Sequence, residues 1–455
     1  MTATLAGVEA ELLTETDTKV EVQAAIGDAA AGHIVLTSDS GALVTLENGW
    51  TYSEAGVVDS ISPAYGQLNT KVTIFGSALR GSGGEVVKVL LSGVEATILE
   101  EDDDSIVVRA DSSAGASGTV VRIESDSGAI IEDTGSWQYR SEGTVADISP
   151  ANGQLGTRVT IKGASLRASG DNVDTVTLAG VDAEIVSEED TVVIVVASVS
   201  GAIQGNVVLT AETAATVTEA GGWTYLEQGA VTAVTPAEGQ RGTEVSITGS
   251  ALRGGCISVD KVTLGGVEVW KLVTETDTEV TVVVPRADAA ADTNVVLTAD
   301  TGAVVTALSA WTYLAEGEIT SVGPESGQVG TRVTIEGTSL FGGGDALESV
   351  TLAGVDVKII SANDSIAIVV IEDPLTATGS VVLTSNTGTI VSVDDAFTLV
   401  DVGKVTVVSP GRGQYGTVVA IHGDNLFGGV GLHAQVDYVR RQGAVGAGGI
   451  IKYVY

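Results

Sequence analysis

The sequence contains one cysteine, Cys256, in 455 residues, so no disulfide can form within the chain. That does not assign it to a reducing compartment, because repeat proteins outside the cell can fold without disulfides. Histidine is almost as scarce: only His33, His422 and His433 are present, and none falls in the complete repeats described below. General acid–base catalysis and activated nucleophiles therefore have few groups to draw on. No zinc-ligand spacing, nucleophile elbow or phosphate-binding loop occurs. Gly81-Ser82-Gly83-Gly84 is glycine-rich, but no Lys-Ser or Lys-Thr follows it, and it reads as a flexible loop. An enzyme is not expected.

Positive charge is lacking as well. The 22 basic residues stand against 59 acidic ones, for a net charge of −37. A polyanion is repelled by phosphate backbones, so nucleic acid is not an expected partner. The same charge opposes aggregation of exposed strand edges. No apolar run reaches the roughly 20 residues of a membrane-spanning helix. Residues 1–20 have neither the basic start nor the apolar core of a signal peptide. Export would use a segment outside this sequence; otherwise the protein is intracellular.

Phe (4) and Met (1) are nearly absent and Pro is rare (7), whereas Gly is abundant (58) and Val, Ile, Thr and Ala dominate. This mix suits pleated, half-buried strands joined by glycine turns. In Lys71-Val72-Thr73-Ile74 the apolar side chains alternate with polar ones, the period of a strand with one buried face.

Internal repetition decides the expected architecture. The motif Ser62-Pro63-Ala64-Tyr65-Gly66-Gln67 recurs around Pro150, Pro236, Pro324 and Pro410, at spacings of 87, 86, 88 and 86. A strand of the form Thr-x-Val-x-Ile-x-Gly follows, as in Thr157 to Gly163. A second motif, Leu178-Ala179-Gly180-Val181, is echoed at Leu5, Leu91, Leu264 and Leu352. A third, Trp-x-Tyr, stands at Trp50, Trp137, Trp223 and Trp311, with Phe397 in the same phase. Strand-like runs at 144–149, 157–162, 173–179, 183–187, 190–197, 205–211 and 215–225 give seven strands in one period. The expected fold class is all-β, a tandem array of seven-stranded immunoglobulin-like sandwiches.

The run Pro-x-x-Gly-x-x-Gly-Thr-x-Val-x-Ile-x-Gly-x-x-Leu resembles the opening of IPT/TIG domains (immunoglobulin-like, plexin, transcription factor). Its residues in the second complete repeat are Pro150, Gly153, Gly156, Thr157, Val159, Ile161, Gly163 and Leu166, followed by Val176, Leu178, Gly180 and Val181. The first complete repeat departs at Asn69, where the others have Gly. The resemblance covers almost the whole chain, except roughly 434–455. It implies sandwich domains of a kind found in surface receptors, in transcription factors and as spacers in carbohydrate-active enzymes. The expected division is a partial IPT/TIG repeat at 1–56, complete repeats at 57–143, 144–229, 230–317 and 318–403, a partial repeat at 404–433 and a divergent tail at 434–455.

Several residues stand out as candidate sites. Trp50, Trp137, Trp223, Trp311 and Phe397 read as core anchors, and each buried indole N–H would need a partner. Trp270 has no Trp counterpart in the other repeats and is a candidate ligand platform. Asn363-Asp364-Ser365 is the only N-glycosylation sequon, and Thr-rich polar faces leave O-linked sugars open beside plain β-propensity. Cys256, in a glycine-rich loop, reads as incidental. The acidic run Glu100-Glu101-Asp102-Asp103-Asp104 could hold calcium, the one cofactor left open. Its counterparts at Thr14, Ser187, Thr274 and Ser361 favour a solvated turn instead.

The expected function is a non-enzymatic structural protein: an extracellular or cell-surface rod, stalk or filament, with short linkers that favour a stiff stack. The alternative is an adhesion module that binds carbohydrate or protein. Residues 404–433 stop in phase where 1–56 begin. The favoured expectation is that the chain is a window on a longer array with an unrelated end; the alternative is that the two partial repeats complete one sandwich between neighbouring chains.

Overall fold

The computed structural model describes residues 1–113 and 118–429. The tail expected at 434–455, and residues 430–433 of the last partial repeat, lie outside the described residues. The described chain contains strands and no helix, and it is all-β with tandem immunoglobulin-like sandwiches. It divides into two compact units, Met1–Leu226 and Glu227–Tyr455.

The period from 230 shows the sandwich plainly. One sheet has four strands in the order Ala230–Thr235, Glu244–Ser250, Glu279–Val283 and Lys271–Glu275. The other has five, in the order Glu238–Gly239, Val304–Tyr313, Ala290–Ala299, Val259–Leu264 and Val267–Glu268. The period from 318 repeats this arrangement. In the period from 144, the unbroken strand Val181–Glu188 pairs first with Val173–Leu178 and then with Val192–Val196, which links the two sheets at their shared edge.

An eighth strand of only two residues escaped the pattern read from the sequence. Asn152–Gly153 runs parallel to Thr224–Tyr225, and Glu238–Gly239 does the same beside Thr312–Tyr313. Two residues are too few to show an alternation, so only the tertiary pairing reveals them.

Each complete period has its own core. Val159, Ile161, Leu178, Val193, Val195, Val207, Leu209 and Trp223 form one such cluster, with three equivalent clusters in the neighbouring periods. At roughly 1.5–3 kcal/mol per fully buried aliphatic or aromatic side chain, these clusters hold the sandwiches together. The strand motif ends in glycine because two strands cross there: a Cβ on Gly163 would lie 2.0 Å from the Thr144 carbonyl oxygen, and one on Gly249 2.1 Å from that of Ala230.

Trp137, Trp223, Trp311 and Phe397 are buried, whereas Trp50 is partly exposed. Each Trp stands edge-to-face against the Tyr two residues on, with centroids 5.4–5.6 Å apart. No protein group supplies the partner expected for each indole N–H: Nε1 of all four has no hydrogen-bond partner within the protein. The aromatic edge contact is the packing that these rings do have.

A bidentate ion pair fastens a loop to a strand. Arg167 Nε and Nη2 donate to the Glu188 carboxylate at 2.8 and 3.1 Å, and Arg80 pairs with Glu101 in the same way at 2.9 Å each. The Arg80 guanidinium is the largest influence holding the Glu101 carboxyl below its usual range. In the period from 318 the same two positions carry Phe341 and Ala362.

Candidate functional site

The described residues contain no group of three or more His, Cys, Asp or Glu side chains placed to hold a metal ion. The acidic turn is closed by its own backbone: Asp102 Oδ1 accepts from the Asp104 and Ser105 N–H groups at 2.8 and 2.6 Å. Asn363 Oδ1 accepts from Ser365 and Ile366, and Thr276 Oγ1 from Thr278 and Glu279, in the same turn of their own periods. A capping side chain in that phase explains why the turn keeps its shape without keeping its charge.

The built feature that recurs is the joint between successive repeats. It begins with the turn after each motif proline. The Gln67 N–H donates to Thr70 Oγ1 at 2.9 Å, and that hydroxyl donates back to the Gln67 carbonyl at 2.8 Å. The same Gln–Thr turn is present at Gln154, Gln240, Gln328 and Gln414. The glycine before each Gln is sterically required: a Cβ on Gly66, Gly153 or Gly239 would sit 2.4–2.5 Å from the threonine Oγ1.

This turn buries the glutamine side chain; Gln67, Gln154 and Gln240 are at most 1% exposed. Its amide then reaches out of its own repeat. Gln67 Oε1 accepts from the N–H of the linker residue Gly143 at 2.8 Å, while Nε2 donates to the Thr216 carbonyl of the next repeat at 2.9 Å. Gln240 Oε1 accepts from the Gly317 N–H at 2.6 Å, and Gln328 Oε1 accepts from the Gly403 N–H. The linker glycine in turn is packed against the repeat that follows it. A Cβ on Gly143 would meet the Ser165 carbonyl oxygen at 2.3 Å and Val217 Cγ2 at 2.5 Å; Gly317 is equally tight against Ser339 and Val391.

Two backbone bonds complete the joint. In the first unit Lys71 N donates to Thr213 O at 2.8 Å and Thr216 N to Leu68 O at 3.3 Å. In the second unit Glu244 N donates to Thr387 O at 2.8 Å and Ile390 N to Arg241 O at 3.0 Å. In each unit the Gln-bearing turn of the earlier repeat thus docks on the last hairpin of the later one, and in the first unit the Gln67 amide is clamped between hairpin and linker. Sequence reading missed the glutamine. Its signal was available: one polar residue in the same phase of all five motif copies, beside apolar strands.

Other candidate residues lie away from the joint chemistry or on its margin. Trp270 is 60% exposed, and the Arg241 guanidinium lies 5.9 Å from its ring centroid. Asn363 is exposed. Cys256 is partly buried and in contact with Thr301 Oγ1 at 2.6 Å, and burial pushes its thiol pKa upward.

The model of the IPT/TIG domain matches residues 57–139, 144–225 and 230–313, more than half of the chain in three consecutive copies. The chain belongs to the IPT/TIG domain family. Outside those three IPT/TIG domains, the period from 318 has the same two-sheet order as the domain at 230–313. No curated protein sequence matches the chain. Among solved structures, the full extracellular region of plexin A4 is similar at 16% identity and a TM-score of 0.34, over 78% of this chain and 31% of that one. The surface glycan-binding protein SGBP-B from a mixed-linkage glucan utilization locus of Bacteroides ovatus, solved with a mixed-linkage heptasaccharide, is similar at 16% identity and a TM-score of 0.18, over 57% of this chain and 67% of that one. The I9–I11 tandem from titin is similar at 11% identity and a TM-score of 0.19, over 57% of this chain and 97% of that one. This chain therefore spans about a third of the plexin region it resembles. No helix among the described residues is long and apolar enough to cross a membrane.

Proposed function

We propose that the chain is a non-enzymatic structural array: a rod, stalk or filament component outside the cell, divided at Gly56, Gly143, Gly229, Gly317 and Gly403, and associating end to end. The clamped joint is the observation that supports this reading. A flexible string of binding modules has no need of a glutamine amide that ties a linker back to the repeat before it, as at Gly143, Gly317 and Gly403, whereas a load-bearing series does. The net charge of −37 keeps such an array from lateral precipitation. Electron microscopy and light scattering of the native chain test it: fibres or concentration-dependent end-to-end multimers are expected, and separate, freely bending monomers at high concentration would overturn it.

A second reading rests on Trp270, which offers an exposed aromatic face for a sugar ring. On that reading the repeat from 230 is a carbohydrate-binding module. Calorimetric titration with polysaccharides, and its loss in Trp270→Ala, would favour it; no heat with any of them would reject it. Asn363, exposed and held in its sequon turn, is the proposed N-glycan site. Intact mass spectrometry of native protein checks it by comparison with the bare polypeptide.

A further inference from the structure

The repeat from 230 departs twice from the pattern of the other copies, and the fold brings the two departures together. From the motif leucine to the residue before the bulge in the following strand, the other copies take seven steps: Leu5 to Leu12, Leu91 to Ile98, Leu178 to Ile185 and Leu352 to Ile359. From Leu264 to Leu272 there are eight. Strand pairing confirms the equivalence: Leu12, Ile98, Ile185, Leu272 and Ile359 each precede the register shift, opposite Val22, Val108, Val195, Val282 and Val369. On one side of the extra residue, Val269 N donates to Val262 O as Val357 N does to Val350 O. On the other, Lys271 lies opposite Val283 as Lys358 lies opposite Val370. The inserted residue is therefore Trp270, placed where the chain crosses from one sheet to the other. The second departure is Arg241. The residue after the motif glutamine is apolar in the other four copies, as Leu68, Leu155, Val329 and Tyr415.

The Arg241 guanidinium lies 5.9 Å from the Trp270 ring centroid, and the indole stays exposed beyond that contact. Both residues are held through their backbones. Trp270 N donates to Val283 O at 2.9 Å, Gly242 N donates to Val284 O at 3.0 Å, and the Arg241 carbonyl accepts from Ile390 N. Lys271 adds a second cation next to the ring. Its counterpart Lys358 pairs with Glu372 at 3.2 Å, but Pro285 fills the phase of Glu372 here. Neither Arg241 nor Lys271 enters an ion pair among the described residues. Glu244 stands in the same register row as Lys271, with Val283 between them. Two uncommitted cations alone would take any acidic surface. The open indole adds a flat apolar face, which suits the C–H face of a pyranose ring. Resting on the reading of Trp270 as a sugar platform, we propose that this site takes an acidic saccharide. The sugar ring lies on the indole, and its carboxylate or sulfate is bound by Arg241 and Lys271. The guanidinium fork matches either oxyanion, and its position against the ring leaves less freedom to lose on binding.

The test is calorimetric titration of the full chain at low salt with polygalacturonate, a sulfated galactan, neutral galactan and polyglutamate. Binding of polygalacturonate or of the sulfated galactan is expected, and the one that binds identifies the oxyanion. Trp270→Ala should abolish it. Arg241→Leu, the residue found at positions 68 and 155, should weaken it about tenfold, the loss of one charge-assisted contact. Lys271→Gln, at an exposed position, should weaken it less, and added salt should weaken it in the unsubstituted chain. Thermal unfolding of each variant is read alongside to show that the repeat stays folded. Binding that survives Trp270→Ala in a folded chain overturns the site. Neutral galactan bound as tightly as the acidic polymers, with no loss in Arg241→Leu, keeps the sugar platform and overturns the acidic ligand. Polyglutamate bound as tightly as the acidic sugars overturns the sugar ring as the ligand. No binding of any of the polymers overturns both readings.

Discussion

The joint in the first unit, where residues 57–143 meet 144–226, and the joint in the second, where 230–317 meet 318–403, share a backbone frame and differ in their side chains. Both have the two hairpin bonds and the glutamine-to-glycine bond. In the first, Asn69 adopts φ 68° and donates from Nδ2 to Thr216 Oγ1 at 2.8 Å. In the second, the same phase carries Gly242 at φ 89° facing Ile390, and a Cβ on Gly242 would lie 2.8 Å from the Gly388 carbonyl oxygen and 2.9 Å from Ile390 Cγ1. Asn tolerates the left-handed region well enough to replace glycine there. The second joint compensates with hydroxyl contact between Thr243 and Thr389 at 2.8 Å. Backbone docking therefore defines the joint, and a small set of matched side chains makes each one particular to its pair of repeats.

The largest test asks whether the sandwiches flanking the two joints are equivalent. Trp137→Ala and Trp311→Ala should each destabilise the repeat concerned by about 3–5 kcal/mol, the cost of a large aromatic cavity. Calorimetry of the full chain should show the two losses alike; a clear inequality would mean that the joints do not account for the difference between the regions. Next in size, Gly242→Asn inserts a Cβ into space already filled by Gly388 and Ile390, and about 1–3 kcal/mol of overpacking is expected. Cleavage at this joint under limited proteolysis should increase, while the first joint is unchanged.

The glutamine clamps separate the joints more finely. Gln67→Ala strips partners from the Gly143 N–H and the Thr216 carbonyl, whereas Gln240→Ala strips one only from Gly317, because Gln240 Nε2 has no partner in the protein. Losses of about 1–2 kcal/mol are expected, with the larger at Gln67. Equal losses in thermal unfolding would refute the two-sided clamp. Asn69→Gly should cost about 1 kcal/mol, and a cycle with Thr216→Ile should show that the two effects are coupled. The double variant has the residues of the second joint at these two positions.

The smallest effect is a common pH response. Burial pushes the phenols of Tyr139 and Tyr313 up to about 12, with the Asp111 and Glu142 carboxylates adding to the shift at Tyr139. Between the ordinary tyrosine value near 10 and the raised one, the unfolded chain releases protons that the folded chain retains. Stability is therefore complete below about pH 10 and declines as pH rises toward 12. Denaturant midpoints measured across that window should fall in both regions, and a rise would contradict the assigned burial.

Much of the fold was legible without coordinates. Alternation in Lys71-Val72-Thr73-Ile74 and the phased Trp-x-Tyr gave strands and cores, because a period-two pattern and a bulky apolar residue report on their own local burial. The departure at Asn69 was visible as an exception, but its partner Thr216 lies 147 residues away and nothing local connects them. The candidate site was less legible still. Gln67 looked like one more polar residue in a turn, and its burial depends on a hairpin contributed by the following repeat.

The sequence by itself determined the repeat, its strand pattern and the glycines of its turns, since each follows from side-chain period and backbone sterics within a single copy. Which polar residues turn inward at the joints, and which side chains match across them, is settled only in the tertiary structure. Those depend on contacts between copies of the motif, and a local pattern that is the same in every copy carries no record of which copy it will meet.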